Sequence, residues 1–336
     1  MPGPHRLLAI GVVLMWGLNF TAIDLALAQF PPTFLVALRF GLIAIPTVLL
    51  VPRPDVPLTW LIGYGLGFGT LQFIFLHAGM AAGMPAGLAS LVLQASAPFT
   101  VLLGAVFLRE RLGLRHLGGI ALAAGGLAVV GWQRSGTTGL APFLLVLAGA
   151  FGWAIGNIAN RKAGARNALH LTLWMCVVPP APMLALSFLT EGPGRITASL
   201  TTMTTPTGTV ALIALCYSVV IATVGGSGGW TWLMARHPAG TVAPFSMMVP
   251  VVGMTTAWLL LGERVTTIEL AGAATIVGGV LVATVQPHRS TPDPTQTETV
   301  PIAPTPPILI MKAREDAIDS PPVFTTTPRR GTSGHA

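Results

Sequence analysis

Two charged side chains stand in stretches of the sequence that are otherwise apolar, and they are the first residues that could carry chemistry. Asp24 follows the apolar run 7–23, and Arg39 lies inside the next run. A charge at the centre of a membrane-spanning helix costs about 2.5–3.5 kcal/mol on insertion scales, so each needs a partner or a function. We predict that Asp24 and Arg39 form an intramembrane ion pair, either a static link or one coupled to substrate or protons. His77, in a third apolar run, is interpreted as an interfacial residue or a pH sensor.

Small and polar residues share one face of a further apolar segment. Gly83, Gly87, Ser90, Gln94 and Ala97 recur at steps of three and four residues, which is the spacing of one helix face. Small residues let helices approach closely, and this suits the glycines. The Gln94 amide has four hydrogen-bonding positions to satisfy, so we predict that Gln94 lines a polar cavity. Ser90 either lines the same cavity or packs against a neighbouring helix.

Other candidate cavity residues are amides, indoles and hydroxyls inside apolar segments. An amide there can bind a zwitterion's carboxylate or ammonium, or it can join one helix to another. A Trp can line a cavity or anchor at the membrane interface. The glycine-rich stretch 225–229 can unwind or pack tightly, and a proline inside a span frees a backbone carbonyl. These candidates are Trp16, Asn19, Gln72, Trp153, Asn157, Ser227, Ser246 and Pro250.

The composition excludes a soluble protein. Of 336 residues, 52% are hydrophobic and 9% are charged, against about 25% charged in an average soluble domain. Eighteen basic and eleven acidic residues cannot coat a soluble fold of this size. The net charge of +7 is spread without a Lys/Arg run longer than two residues, so we predict no nucleic-acid partner.

Motifs for catalysis and cofactors are missing from the sequence. It contains no His-Glu-x-x-His, no cysteine pair at metal-ligand spacing, no cluster of carboxylates and no Walker A motif. We predict that the protein is not an enzyme and that it uses no metal or cofactor. A membrane enzyme acting on lipid-linked substrates and a channel are the alternatives from other functional classes.

Ten apolar segments are long enough to cross a bilayer as helices, which takes about 20 residues each. With the N-terminus inside, ten Lys/Arg residues lie at the inner ends of the segments and three at the outer ends. The positive-inside rule therefore predicts a multi-pass protein with both termini in the cytoplasm. The segments are 7–27, 34–51, 59–79, 83–107, 116–132, 140–159, 169–189, 208–232, 239–261 and 268–285.

An internal repeat organises these segments. A shift of 153 residues aligns Pro85-Ala86-Gly87 with Pro238-Ala239-Gly240, and Glu110-Arg111 with Glu263-Arg264. The two glutamates are predicted to share a structural role, such as capping a helix or pairing with an arginine. Five helices per repeat reverse its orientation in the membrane, and inverted repeats are typical of transporters. We predict an all-α membrane protein of ten transmembrane helices in two inverted five-helix repeats, 1–136 and 137–286, followed by a disordered Pro/Thr-rich cytoplasmic tail, 287–336.

These residues resemble the drug/metabolite transporter superfamily and, within it, the EamA family. The resemblance covers about 1–285 and rests on the stretches 16–20, 38–40, 83–95, 156–160, 242–246 and 249–253. It implies a ten-helix inner-membrane exporter of amino acids and related metabolites, such as cysteine and O-acetylserine. Asp24 and Ser227 stand where the resemblance implies a Lys and the Tyr of a Gly-Tyr-Gly, so export of a different small metabolite or drug is the alternative.

Together these features predict a secondary-active exporter that works by alternating access around a site near the middle of the membrane. Its predicted partners are a small-molecule substrate, the lipid bilayer and protons as the coupling ion. Whether the chain forms a homo-oligomer is left open, because no sequence feature bears on it.

Overall fold

Apolar runs become helices because a bilayer offers no hydrogen-bonding partner to the backbone, so each segment must satisfy its own N–H and C=O groups. The computed structural model describes residues 1–110, 112–135, 139–237 and 239–284, and within these ranges it contains helices, short loops and no β-strand. The tail predicted for 287–336 lies outside the described residues. The α-helices are α1 Gly3–Leu27, α2 Pro32–Leu50, α3 Leu58–Tyr64, α4 Gln72–Ala81, α5 Ala86–Val92, α6 Ser96–Phe107, α7 Leu114–Ser135, α8 Ala141–Ala163, α9 Ala168–Met175, α10 Pro180–Thr190, α11 Gly192–Thr201, α12 Pro206–Cys216, α13 Gly226–Arg236, α14 Ala239–Ser246, α15 Val249–Leu261 and α16 Thr267–Thr284.

Several of these helices join into longer membrane-crossing elements. In the described part of the chain, eight stretches are long and apolar enough to span a bilayer, and two further apolar helices, Val249–Leu261 and Thr267–Ala283, are shorter. The protein is therefore an all-α, multi-pass membrane protein. The count of ten spans and the inverted orientation of the two halves remain predictions. The eight long elements are Gly3–Leu27, Pro32–Leu50, Leu58–Ala81, Ala86–Phe107, Leu114–Gln133, Ala141–Ala163, Ala168–Thr190 and Pro206–Arg236.

Matching elements of the two halves depart from α-helical geometry in the same way. A π-helical segment, Gly65–Leu71, joins α3 to α4, and a second one, Tyr217–Gly225, joins α12 to α13. Wide π turns of this kind occur often at functional sites. The glycine-rich stretch that follows the second segment stays helical, since α13 begins at Gly226.

The last helices of the two repeats, α7 and α16, pack through glycines. A Cβ placed on Gly119 would lie 2.6 Å from the carbonyl oxygen of Gly279, and one on Gly126 would lie 2.9 Å from that of Gly272. Backbones approach this closely only where side chains are minimal. The same glycines are matched by the shift of 153 residues, so the repeat brings the two halves together along α7 and α16.

Candidate functional site

The two halves also meet where α5 packs against α15, and where Gln94, just after α5, approaches Met247, between α14 and α15. Gln94 is buried, and its Nε2 lies 3.6 Å from the sulfur of Met247. The shift of 153 residues relates these two positions to each other. Ser90 is buried too and donates its hydroxyl to the carbonyl of Gly87 at 2.6 Å, while a Cβ on Gly253 would lie 2.5 Å from the Ser90 oxygen. This face therefore makes a close helix contact at Ser90 and holds the Gln94 amide between the halves.

The two candidate asparagines have different surroundings. Asn157 donates from Nδ2 to the hydroxyl of Thr100 at 3.0 Å. In the second repeat the position that matches Thr100 is Gly253, which has no hydroxyl to offer Asn19, the residue that matches Asn157. Asn19 is buried, and its Oδ1 has no hydrogen-bond partner in the described residues. A buried polar atom without a partner costs about 1–3 kcal/mol, so Asn19 is a place where a ligand could restore a hydrogen bond.

Other buried polar atoms without partners belong to the first repeat as well. Native interiors pair nearly all such atoms, so each of these atoms needs an explanation. The set includes amide oxygens, a hydroxyl, guanidinium nitrogens and an imidazole nitrogen. Within the described ranges these atoms are Asn19 Oδ1, Arg39 Nε and Nη1, Thr70 Oγ1, Gln72 Oε1 and His77 Nε2.

Arg39 is one of these buried residues, and its surroundings differ from those predicted. Its Nη2 donates to the hydroxyl of Thr223 at 2.9 Å, and its Cζ lies 4.4 Å from the ring centre of Phe73. Among the residues that the structure describes, Arg39 forms no ion pair with Asp24, so the predicted pair is wrong here. The reason is the rotation of α1. Ile23, the residue before Asp24, lines the same cavity as Arg39, and successive residues of a helix point about 100° apart.

Arg39 lines a small cavity. Its volume is about 10 Å³, which is room for about one water molecule. His77 is fully buried beside it, with Nδ1 3.4 Å from the carbonyl of Pro32, so the interfacial interpretation of this histidine is wrong. The lining residues are Ile23, Ala26, Leu35, Arg39, His77, Leu215 and Ser218.

The aromatic candidates hold helices together. Trp16 donates from Nε1 to the carbonyl of Ala222, in the second π segment, at 3.0 Å. Its ring centre lies 5.3 Å from that of Trp230. Trp153 packs edge-on against Phe68, in the first π segment, at 5.7 Å. Each Trp therefore lies against the π segment of the other repeat.

The remaining candidates lie at helix starts and ends. Ser227 is half-buried in the first turn of α13, and Pro250 is buried in the first turn of α15. Ser246 is half-buried at the end of α14. Gln72, already named for its unpartnered oxygen, begins α4. None of these residues lines the Arg39 cavity, so a substrate-lining role for them stays a prediction.

Carboxylates from the second repeat cap helices of the first repeat at the end predicted to face outward. Glu263 accepts from the backbone N–H groups of Ala86 and Gly87, at the start of α5, at 2.6 and 3.0 Å. Glu191 likewise accepts from the N–H groups of Thr33 and Phe34, at the start of α2, at 2.7 and 3.0 Å. A carboxylate there satisfies N–H groups that the helix leaves open and meets the positive end of its dipole.

Glu110, which the repeat matches to Glu263, has a different partner. Its carboxylate forms an ion pair with Arg161, at the end of α8. Both interactions named in the prediction thus occur, since Glu263 caps a helix and Glu110 pairs with an arginine. Sequence reasoning could not find the partners of Glu191, since the acid and the helix that it caps are far apart in the chain.

No group of three or more His, Cys, Asp or Glu side chains in the described ranges is arranged to hold a metal ion.

Comparison with known proteins adds the family. Residues 5–132 and 140–285 both match the EamA-like transporter family. Two relatives carry the name probable amino-acid metabolite efflux pump: the one from Salmonella typhimurium is 44% identical and the one from Escherichia coli 42%, each over 82% of this chain and 93% of the relative. A crystal structure shares the fold, with a TM-score of 0.56 at 22% identity over 84% of this chain and 97% of that one.

Proposed function

Because the chain belongs to the EamA-like transporter family and is a transporter rather than an enzyme, we propose that it exports amino-acid metabolites by alternating access. Cysteine and O-acetylserine are the first candidate substrates. The names of the two relatives support the substrate class. In this proposal the protein has ten spans in two inverted repeats, lies in the inner membrane with both termini in the cytoplasm, and couples export to protons.

The observation that carries alternating access is the unequal use of two matched glutamates. Glu263 joins the outer end of α15 to the outer start of α5, which belong to different repeats. Glu110 instead pairs with Arg161 on α8, so at the end predicted to face inward the repeats meet through a side-chain ion pair and not through a helix cap. In the described residues a carboxylate cap between the repeats is thus formed at the end proposed to face outward, while the matching cap at the other end is not.

Inverted repeats supply the opposite state from the same parts. In that state Glu110 would accept from the backbone N–H groups of Ala239 and Gly240, which match Ala86 and Gly87. Glu263 would then leave the start of α5, and the outer side would open. Since one carboxylate cap replaces another, the two states can differ by only a few kcal/mol, as a cycling transporter requires.

The test is flux from preloaded proteoliposomes that contain the purified protein. Labelled cysteine, O-acetylserine and a panel of neutral amino acids are offered with and without a proton gradient. We expect saturable flux that supports counterflow and that is lost in Gln94→Ala. The control, Gln133→Ala, makes the same change at the end of α7 and should keep its flux. Single-channel conductance, or no saturable flux of any amino-acid metabolite, would refute the proposal.

A further inference from the structure

The Arg39 guanidinium has donors to spare in a place where a charge is costly. One nitrogen, Nη2, bonds Thr223 at 2.9 Å, while Nε and Nη1 are buried without partners. An arginine carries five N–H donors and stays charged inside a protein. A buried charge without a counter-ion is strongly unfavourable, and an anion with two oxygens is the partner that the guanidinium recognises best.

The second repeat has no charge at the position that matches Arg39. The repeat offers this comparison, because α9 and α10 in the second half together correspond to α2 in the first. The shift of 137 residues that joins Trp16 to Trp153 places Cys176 opposite Arg39, and the shift of 138 that joins Asn19 to Asn157 places Val177 there. Neither residue is an arginine or a lysine. The second repeat therefore has no cation at this point, where its chain leaves α9, and Arg39 calls for an explanation particular to the first repeat.

His77 supplies an acceptor to the same cavity. Its Nδ1–H faces the carbonyl of Pro32 at 3.4 Å, so Nε2 of the neutral ring carries the lone pair, and Nε2 has no partner. Phe73 lies between the two polar residues, with its ring centre 4.4 Å from Arg39 Cζ and 5.8 Å from the His77 ring centre. A positively charged hydrogen-bond donor, Arg39, and a neutral hydrogen-bond acceptor, His77, thus line one cavity.

We propose that Arg39 and His77 form a subsite for the head group of an α-amino acid. Arg39 binds the α-carboxylate through its unpartnered N–H groups, and His77 Nε2 accepts a hydrogen bond from the adjacent α-ammonium. The proposal deepens the export function proposed above and rests on it. The cavity of about 10 Å³ has room for about one water molecule, so the head group must displace the wall formed by Ser218. That wall belongs to the π segment Tyr217–Gly225, whose wider turns make it the movable part.

The experiment measures binding by titration calorimetry to the wild-type protein in lipid nanodiscs. The probes are L-serine, O-acetyl-L-serine and L-cysteine, each compared with its α-carboxamide and its N-acetyl derivative. Because hydrogen bonds to charged groups contribute about 1.5–3 kcal/mol, we expect the amino acids to bind about 10- to 100-fold more tightly than either derivative.

Variants separate the two contacts. In Arg39→Met the preference for the amino acid over its α-carboxamide should fall to about onefold, while the preference over the N-acetyl derivative persists. In His77→Leu the preference over the N-acetyl derivative should be lost, while the preference over the α-carboxamide persists. The control Arg195→Met removes an exposed arginine and should leave both ratios unchanged. Arg39→Met should also fold as well as the wild type, since an apolar residue replaces a buried charge.

Three results would overturn the subsite, and they separate it from the export function. An unchanged acid-to-amide ratio in Arg39→Met, with saturable efflux by the wild type, refutes the subsite and leaves export standing. A melting temperature of Arg39→Met well below that of the wild type, with an unchanged ratio in Arg39→Lys, assigns Arg39 a structural role. Wild-type protein that neither binds nor moves any amino acid refutes both proposals.

Discussion

Glu263→Gln should open the outer side of the protein. In the structure the carboxylate accepts two backbone hydrogen bonds at the start of α5, at 2.6 and 3.0 Å. Hydrogen bonds to a charged group contribute about 1.5–3 kcal/mol each, and the helix dipole adds about 0.3–1 kcal/mol. The amide of glutamine keeps one neutral acceptor, so we expect a net weakening of about 1.5–3 kcal/mol. The equilibrium between closed and open outer sides should then shift about 10- to 100-fold toward the open form.

The assay is a distance measurement by electron spin resonance across the outer side. Spin labels are placed at Ala82 and Thr267, two exposed positions that flank the Glu263 contact. The exposed native Cys216 is replaced by serine first. We expect a second, longer distance in Glu263→Gln. The matched control is Glu110→Gln, which loses the Arg161 ion pair and should not lengthen the outer distance. An identical distance distribution in Glu263→Gln and wild type would refute the reasoning.

Three further predictions concern packing, capping and pH. Gly67→Ala should lower the free energy of unfolding by about 1–3 kcal/mol, because its Cβ would lie 2.5 Å from the α8 backbone, whereas Gly11→Ala meets nothing within 4 Å and should be neutral in the same denaturation assay. Asn167→Ala should cost about 1 kcal/mol, since Asn167 Oδ1 caps α9 at 3.1 and 3.2 Å; a loss that Asn167→Asp shares equally would contradict the cap. Partial desolvation and the neighbouring His5 lower the pKa of His237, so its contribution to stability is complete above about pH 6.5 and is lost as the pH falls below it. The melting temperature should therefore fall more between pH 7.5 and 5.5 in wild type than in His237→Gln, and equal falls would argue against this assignment.

The Arg39 region shows how far sequence reasoning reached into the site. The residue was identified because a charge in an apolar run is expensive, and the structure does place it in the interior. Its predicted partner was wrong because pairing depends on the rotation of α1 about its axis, which hydropathy does not report. The place of His77 near a segment end favours an interfacial residue or a pH sensor, yet the packing of α4 against α2 covers its side chain fully.

The glutamates show the same limit from the repeat. Aligning the halves predicted a common role for Glu110 and Glu263, and the structure gives them different partners. Glu263 caps α5, whereas Glu110 pairs with Arg161, because the partner that each acid meets depends on how distant helices pack around it.

What the sequence by itself determined is the class of molecule: an all-α, multi-pass membrane protein with an internal repeat. These properties follow from composition, segment length and spacing, which are local along the chain and which the bilayer makes obligatory. Only the tertiary structure decided which buried polar groups meet. Thr223 lies 184 positions from the Arg39 that it binds, and Glu263 lies 177 positions from Ala86. Such contacts depend on how each helix is rotated and packed, and this is set by close contact with neighbouring helices rather than by any pattern within one segment.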